Sequence, residues 1–256
     1  MRFHYDAPVE RIDVAAGRAV GVTLENGEQL KADVVIANAD LPYVYSELLP
    51  DDGTAAKLDR KRYTSATLMF YWGLKGERTD KPIHHNVFLS DHVYRESFDQ
   101  IFYEHTLPAE PSFYIHAPVR TVPTFAPPDS DALMVLAPTG HIDETQQQDW
   151  PALQQQARRA VLQRLARLGL DDIEGRIVFE QTFTLPDYRR IWNLAKGAAF
   201  GLSHNFTQVG YLRPHNRHAR YGNLYFVEAS THPGTGVPIV LLSARLVTER
   251  ILKEQG

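Results

Sequence analysis

The densest run of chemistry-bearing residues lies near the end of the chain, Asn223-Leu-Tyr-Phe-Val-Glu-Ala-Ser-Thr-His-Pro-Gly-Thr-Gly-Val-Pro-Ile239. Leu224 to Val227 reads as a buried strand, Gly234 and Gly236 as a turn of small residues, and Pro238 as the entry to a helix. Such a turn lets backbone N–H groups come close to a ligand, and the helix start behind it carries partial positive charge. Proline suits the first helical position because the N–H it lacks would have no partner there. The chemistry on offer is anion binding: a phosphate, a carboxylate or the electron-rich edge of a flavin.

Other candidates carry less. His84 and His85 are adjacent, and on a strand they point to opposite faces, a poor arrangement for one metal. His215 and His218 sit in a loop-like basic stretch, and no H-E-x-x-H or paired-aspartate spacing occurs, so no metal is expected. Ser203-His204 lacks the glycines of a hydrolase nucleophile elbow. The absence of cysteine excludes disulfides, thiolate metal sites and cysteine nucleophiles, and fits a reducing cytoplasm. With 27 basic and 31 acidic residues, a net charge of −4 and no basic run, nucleic acid is not an expected partner. No apolar run reaches the roughly 18 residues of a spanning helix, so any meeting with a membrane is at its surface.

The elements that must position the turn are legible in the pattern. Val9–Val14, Ala19–Leu24 and Gln29–Ile36 read as strands, with turns at Gly17 and at Asn26-Gly27, the latter a positive-φ pair. Ala32–Ala39 is a continuous apolar run suited to a strand buried on both faces. From Leu41 the texture changes, with aromatics crowding 63–72, 87–103 and 113–125. Tyr63–Leu74, Asp131–Pro138 and Ile177–Thr184 read as strands. Asp149–Leu168 reads as a helix capped by Asp149 and stopped by Gly169, its arginines (Arg158, Arg159, Arg164, Arg167) a solvated face. Pro238–Lys253 is apolar over much of its circumference, as in a helix packed under a sheet.

THPGTGVP after NLYFV, preceded by LRPHNRHARYG, resembles the C-terminal signature of the bacterial phytoene desaturase family, FAD-dependent carotenoid desaturases. The likeness is densest in YTSATLMFYWGL (63–74), HHNVFLSDHVYR (84–95), SFYIHAPVR (112–120) and Lys196–Arg250. It implies an α/β (α+β) chain: a partial FAD-binding Rossmann-like domain with an inserted mixed-sheet substrate domain. The expected division is 1–42 for part of the FAD domain, 43–200 for the substrate domain and 201–256 for the return to the FAD domain. No G-x-G-x-x-G occurs, and the opening MRFHYDAPVERIDV resembles the middle of such a protein. The expectation is therefore a C-terminal half whose N-terminal FAD-binding half is a missing partner.

The resemblance also implies a site. Val9 begins the strand that passes the adenine, and Asn38 and Ala39 lie near the cofactor. Glu228, Ala229, Ser230, Thr231, His232, Gly234, Thr235, Gly236, Val237 and Pro238 line it. His232 either holds the turn through side-chain hydrogen bonds or faces the flavin or the polyene. Glu228 stands where the family usually has glycine, and it either bonds a ribityl hydroxyl or weakens FAD binding. The implied function is FAD-dependent desaturation of phytoene or a related carotenoid, with no catalytic acid or base singled out. Alternatives are a carotenoid isomerase or oxygenase, an amine-oxidase-like flavoenzyme, or a non-catalytic isoprenoid-binding fragment. The implied substrate is an apolar polyene, and the location is cytoplasmic, peripheral on the membrane.

Overall fold

The computed structural model describes residues 2–50, 52–76 and 81–255, with Asp91 described by its backbone only. Strands β1 (Val9–Ala15), β2 (Arg18–Leu24) and β3 (Gln29–Lys31) form an antiparallel sheet in that order. The positive-φ pair that matches hairpin twist is found at Ala16 (47°) and Gly17 (76°). At Asn26-Gly27 only Gly27 takes positive φ, because the Asn26 side chain accepts the Glu28 N–H at 2.9 Å and closes a local turn of its own.

Gln29–Ile36 does not make one strand. The chain leaves the first sheet after β3, and β4 (Val35–Ala37) pairs instead with a strand from the end of the chain. Ile36 is 51% exposed, so β4 is buried on one face rather than on both. A helical turn α1 (Leu41–Tyr43) runs into a π turn at Val44–Leu48, and α2 (Thr54–Asp59) follows. Val44, Leu48 and Leu58 are buried.

Two compact units result. One takes in the chain up to Tyr63, Asn193–Ala195 and everything from Phe200; the other is Thr64–Trp192 with Lys196–Ala199. Residues 43–63 therefore pack with the N-terminal strands rather than with the middle of the chain.

The middle unit contains β5 (Ala66–Lys75), β6 (His85–Phe88), α3 (Tyr94–Phe102), β7 (Phe113–His116), β8 (Ser130–Thr139), α4 (Trp150–Arg167), α5 (Ile173–Arg176), β9 (Ile177–Phe183) and α6 (Leu185–Trp192). Its sheet runs β6-β7-β8-β5-β9 and is antiparallel at every pairing. On β5 the even positions Leu68, Phe70, Trp72 and Leu74 are buried, and on β8 the odd positions Leu133, Val135 and Ala137, the two-residue period of a sheet with one covered face. Ala157, Val161, Leu162 and Leu165 of α4 add to the core, each large side chain contributing roughly 1.5–3 kcal/mol by leaving water. Asp149 caps α4 by accepting the Ala152 N–H at 3.0 Å. The arginine face is not simply solvated: Arg158 pairs with Glu174 at 2.7 Å and Glu180 at 3.1 Å, and Arg164 donates to the Leu89 carbonyl at 3.0 Å.

The chain then returns to the first unit with β10 (Leu224–Phe226) and α7 (Val237–Gln255). β10 runs parallel to β4, with Leu224 opposite Val35 and Phe226 opposite Ala37. Asn223, fully buried, locks this pair to the first sheet: its amide donates to the Ala19 and Asp33 carbonyls at 2.7 Å each and accepts the Ala19 N–H at 2.9 Å. α7 is less enclosed than its sequence predicts. Ser243 and Val247 are its buried residues, whereas Leu241 and Val237 are exposed, so its packing is confined to a narrow stripe. No helix among the described residues is long and apolar enough to cross a membrane.

Candidate functional site

Parallel pairing sets the carboxyl ends of β4 and β10 side by side, which is where parallel sheets bind ligands. The Val227 N–H donates to the Ala37 carbonyl at 3.0 Å, so Asn38-Ala39-Asp40 and Glu228-Ala229-Ser230 leave the sheet together. Asn38 is exposed and Ala39 half-buried, while Asp40 and Glu228 are both buried. Val9 stands apart from this junction, at the start of β1 opposite Leu24.

The side chain of Glu228 folds back on its own loop. One oxygen, Oε2, accepts the Ser230 N–H at 2.5 Å, and Oε1 is buried with no partner among the described residues. Burial pushes its pKa up to about 8; the Ser230 N–H and the Arg213 guanidinium oppose that rise, and the Asp40 carboxyl adds to it. Glu228 is therefore protonated in most molecules at pH 7, and an uncharged carboxyl does not repel a neighbouring anion. Asp40 is raised to about 6 by burial, against the pull of the Ala195 N–H, which donates to Oδ2 at 2.8 Å.

Arg213 holds the loop and is 1% exposed. Its Nε donates to the Thr231 carbonyl at 3.0 Å and its Nη2 to those of Ala229 at 2.5 Å and Leu202 at 3.1 Å. Nη1 takes the Gln208 and Ser203 carbonyls at 3.1 and 3.2 Å. One guanidinium thus satisfies carbonyls from three stretches of backbone that would otherwise be buried unpaired. Sequence reasoning missed it, since it sits in the same basic stretch as Arg217 and Arg220, which pair with Glu254 and Asp52 nearer the surface. The hydroxyls complete the framework: Ser230 Oγ accepts the Leu202 N–H at 3.0 Å, and Thr231 Oγ1 donates to the Glu228 carbonyl at 3.1 Å.

His232 holds the turn by its backbone rather than by its ring. Its N–H donates to the Pro214 carbonyl at 2.9 Å, and its carbonyl accepts from Ser243 Oγ of α7 at 3.2 Å. Gly234 has φ +147°, and a Cβ there would lie 2.8 Å from Nε2 of His204, which also accepts the Thr235 N–H at 3.4 Å. His204 is the second residue missed, read from sequence only as half of a failed hydrolase motif. Gly236 has φ +103° and, with Val237 and Pro238, is exposed at the start of α7; its carbonyl accepts the Ile239 and Val240 N–H groups at 2.9 Å each, and the Val237 N–H has no acceptor inside the helix. The arrangement is a rigid glycine turn presenting backbone donors and a positive helix end, beside two buried carboxyl groups. That donor set fits an anionic or electron-rich planar group.

A flavin is one group of that kind, and the comparisons with known proteins point to a flavin-binding oxidoreductase. The model of the family described as flavin containing amine oxidoreductase matches residues 1–252. The chain belongs to this family of FAD-dependent oxidoreductases, and FAD is the family's cofactor. Among its relatives are the zeta-carotene-forming phytoene desaturase of Myxococcus xanthus, 48% identical over 98% of this chain and 48% of that protein, and a phytoene desaturase of Neurospora crassa, 45% identical over 93% of this chain and 41% of that protein. The chain spans about half the length of these curated relatives. An oxidoreductase of Methanosarcina mazei shares the fold, with a TM-score of 0.57 at 18% identity over 94% of this chain and 48% of that one.

The extent of the family match corrects the reading of the chain as a C-terminal half only, with the N-terminal dinucleotide-binding unit absent. It equally removes a missing N-terminal FAD-binding half from the partners. That expectation rested on the absence of one local motif, G-x-G-x-x-G, and on the likeness of the opening MRFHYDAPVERIDV to the middle of such a protein, whereas the family match runs over residues 1–252.

Proposed function

We propose that this chain acts in the FAD-dependent dehydrogenation of an apolar polyene of the phytoene type. The observation that carries the reading is the 48% identity to a phytoene desaturase over 98% of the chain. A polyene hydrocarbon has no ionisable group, so its recognition rests on apolar surface and its oxidation on the cofactor. FAD, when bound, supplies the two-electron acceptor.

The residues at the strand ends have roles consistent with that chemistry. Gly234, Gly236 and Val237 offer backbone N–H groups and the helix start to the cofactor's electron-rich edge, favouring the negative charge that reduction brings, while the Thr235 N–H is held by His204. Asn38, Ala39, Ala229, Ser230, Thr231, His232 and Pro238 shape and hold that surface, with Val9 further along the first sheet. Asp40 and Glu228, raised to about 6 and about 8, are carboxyl groups there able to hold or accept a proton near neutral pH. Arg213 keeps the turn fixed, so the donors need no rearrangement when a ligand arrives.

The test is anaerobic mixing of the FAD-loaded chain with phytoene in lipid vesicles. The expected result is bleaching of the oxidised flavin together with a polyene absorbing at longer wavelength. A loaded chain whose flavin is untouched by phytoene but bleached by a primary amine would overturn the reading.

A further inference from the structure

We propose that His84, His85 and His116 of the middle unit form a binding site for a divalent transition-metal ion of the zinc, nickel or copper class. The alternation argument against this pair of histidines does not hold, because β6 begins at His85 and His84 lies outside it. The His84 carbonyl accepts the Ala117 N–H at 2.8 Å, and His85 faces His116 directly across the β6–β7 pairing. The ring centroids of His84 and His85 are 4.2 Å apart, those of His84 and His116 4.7 Å, and those of His85 and His116 5.2 Å. One ring nitrogen from each residue lies within 4.8 Å of the other two.

His84 Nε2 and His116 Nε2 are 3.0 Å apart. Tetrahedral zinc with bonds of about 2.0–2.1 Å sets its ligand nitrogens about 3.3 Å apart, so a metal could replace the proton between them after a shift of a few tenths of an ångström. The outer nitrogens are already engaged: His84 Nδ1 bonds Thr121 Oγ1, and His85 Nδ1 bonds the Tyr114 hydroxyl at 2.5 Å. Fixing the outer nitrogen of a histidine sets its orientation and leaves the other nitrogen for a metal. The surrounding segments are pinned as well. Arg120 forks onto Asp131 at 2.7 and 2.9 Å and donates to the Pro82 carbonyl at 2.9 Å, joining the stretches that carry Thr121 and His84.

Imidazole donors select zinc, copper and nickel over magnesium or calcium. His85 is exposed, so the cluster is reached from solvent on its side.

The test uses the tag-free, chelator-stripped full chain titrated with Zn2+ alone, and with Co2+ as a spectroscopic probe. One equivalent of Zn2+ should saturate, and Co2+ should give the intense visible bands of a tetrahedral site. His84→Gln and His116→Ala should each abolish saturable binding with the circular dichroism unchanged. Tyr114→Phe should weaken it about 10–100-fold, whereas His92→Ala and His215→Ala should leave it intact. If the folded chain shows no saturable Zn2+ binding at submillimolar concentration, the proposal falls. It falls equally if Zn2+ binds with the same affinity in the His84, His116 and Tyr114 variants.

Discussion

Glu228→Gln replaces a buried carboxyl by an amide of nearly the same size, and its effect on stability must depend on pH. In the folded chain the Glu228 pKa is about 8, against 4.5 for the free side chain. Below pH 4.5 both the folded and the unfolded chains carry the proton, and the group adds no pH dependence. As pH rises from there, the unfolded chain releases its proton first, so the unfolded state binds fewer protons and stability falls. The loss is complete once pH has passed the folded value of about 8. At about 1.4 kcal/mol for each pH unit between the two values, the ceiling is about 5 kcal/mol. Glutamine does not titrate, and its oxygen still accepts the Ser230 N–H. Asp40 titrates in parent and variant alike, so most of its contribution cancels in the comparison. Urea unfolding should therefore find the two chains within about 1 kcal/mol at pH 5 and the variant more stable by about 3–5 kcal/mol above pH 8. Stability–pH curves that run parallel for the two chains would refute a protonated Glu228 in the folded state.

Arg213→Lys keeps the charge but cannot fork onto five carbonyls, and it should cost about 3–5 kcal/mol in urea unfolding; a change below about 1 kcal/mol would mean that the guanidinium does not hold the loop. Gly236→Val, at φ +103°, should cost about 1–3 kcal/mol locally and, with Gly234→Val, should lower the FAD taken up on reconstitution. Normal flavin content in both variants would separate the turn from the cofactor. Tyr94, Phe98 and Phe102 form an exposed ridge on α3 with ring centroids 5.2 and 5.1 Å apart. Phe98→Ser should reduce co-sedimentation with neutral vesicles, and the parent's binding should survive raised salt because the chain has no basic excess. Release of the parent by moderate salt would count against apolar insertion.

Elements that carry their own period were legible in the sequence. β8 alternates along its length, α4 has a cap and a glycine stop, and the glycine turn before α7 announces itself by composition. Burial set by distant parts of the chain was not. Ile36 sits in an apolar run yet is half exposed, because β4 has one strand beside it and one covered face. Arg213 looks like Arg217 and Arg220 until the topology gathers carbonyls from Leu202, Gln208 and Thr231 around it. Asp40 and Glu228, 188 positions apart in the numbering, influence each other only because β4 and β10 pair in parallel. Strand alternation does not describe the His84–His85 pair for a related reason, since the strand begins at His85.

Glu228 shows how the two kinds of information fit together. The resemblance puts glycine at this position, where a backbone must approach the cofactor closely, and a glutamate there looks disruptive on two grounds, bulk and charge. The structure answers each. The bulk is turned inward, since the side chain accepts the Ser230 N–H at 2.5 Å and is buried, leaving the outer side of the loop to its backbone. The charge is suppressed by the same burial, which raises the pKa to about 8. What glutamate adds is a bond to a loop N–H that a glycine would leave to another partner, and a proton held beside Asp40. What it costs is the unpaired Oε1, on the order of 1–3 kcal/mol for a buried polar atom. A loop already fixed by Arg213, Ser230 and Thr231 tolerates that cost, so the substitution changes the site's proton content without closing the backbone surface that the glycine turn presents.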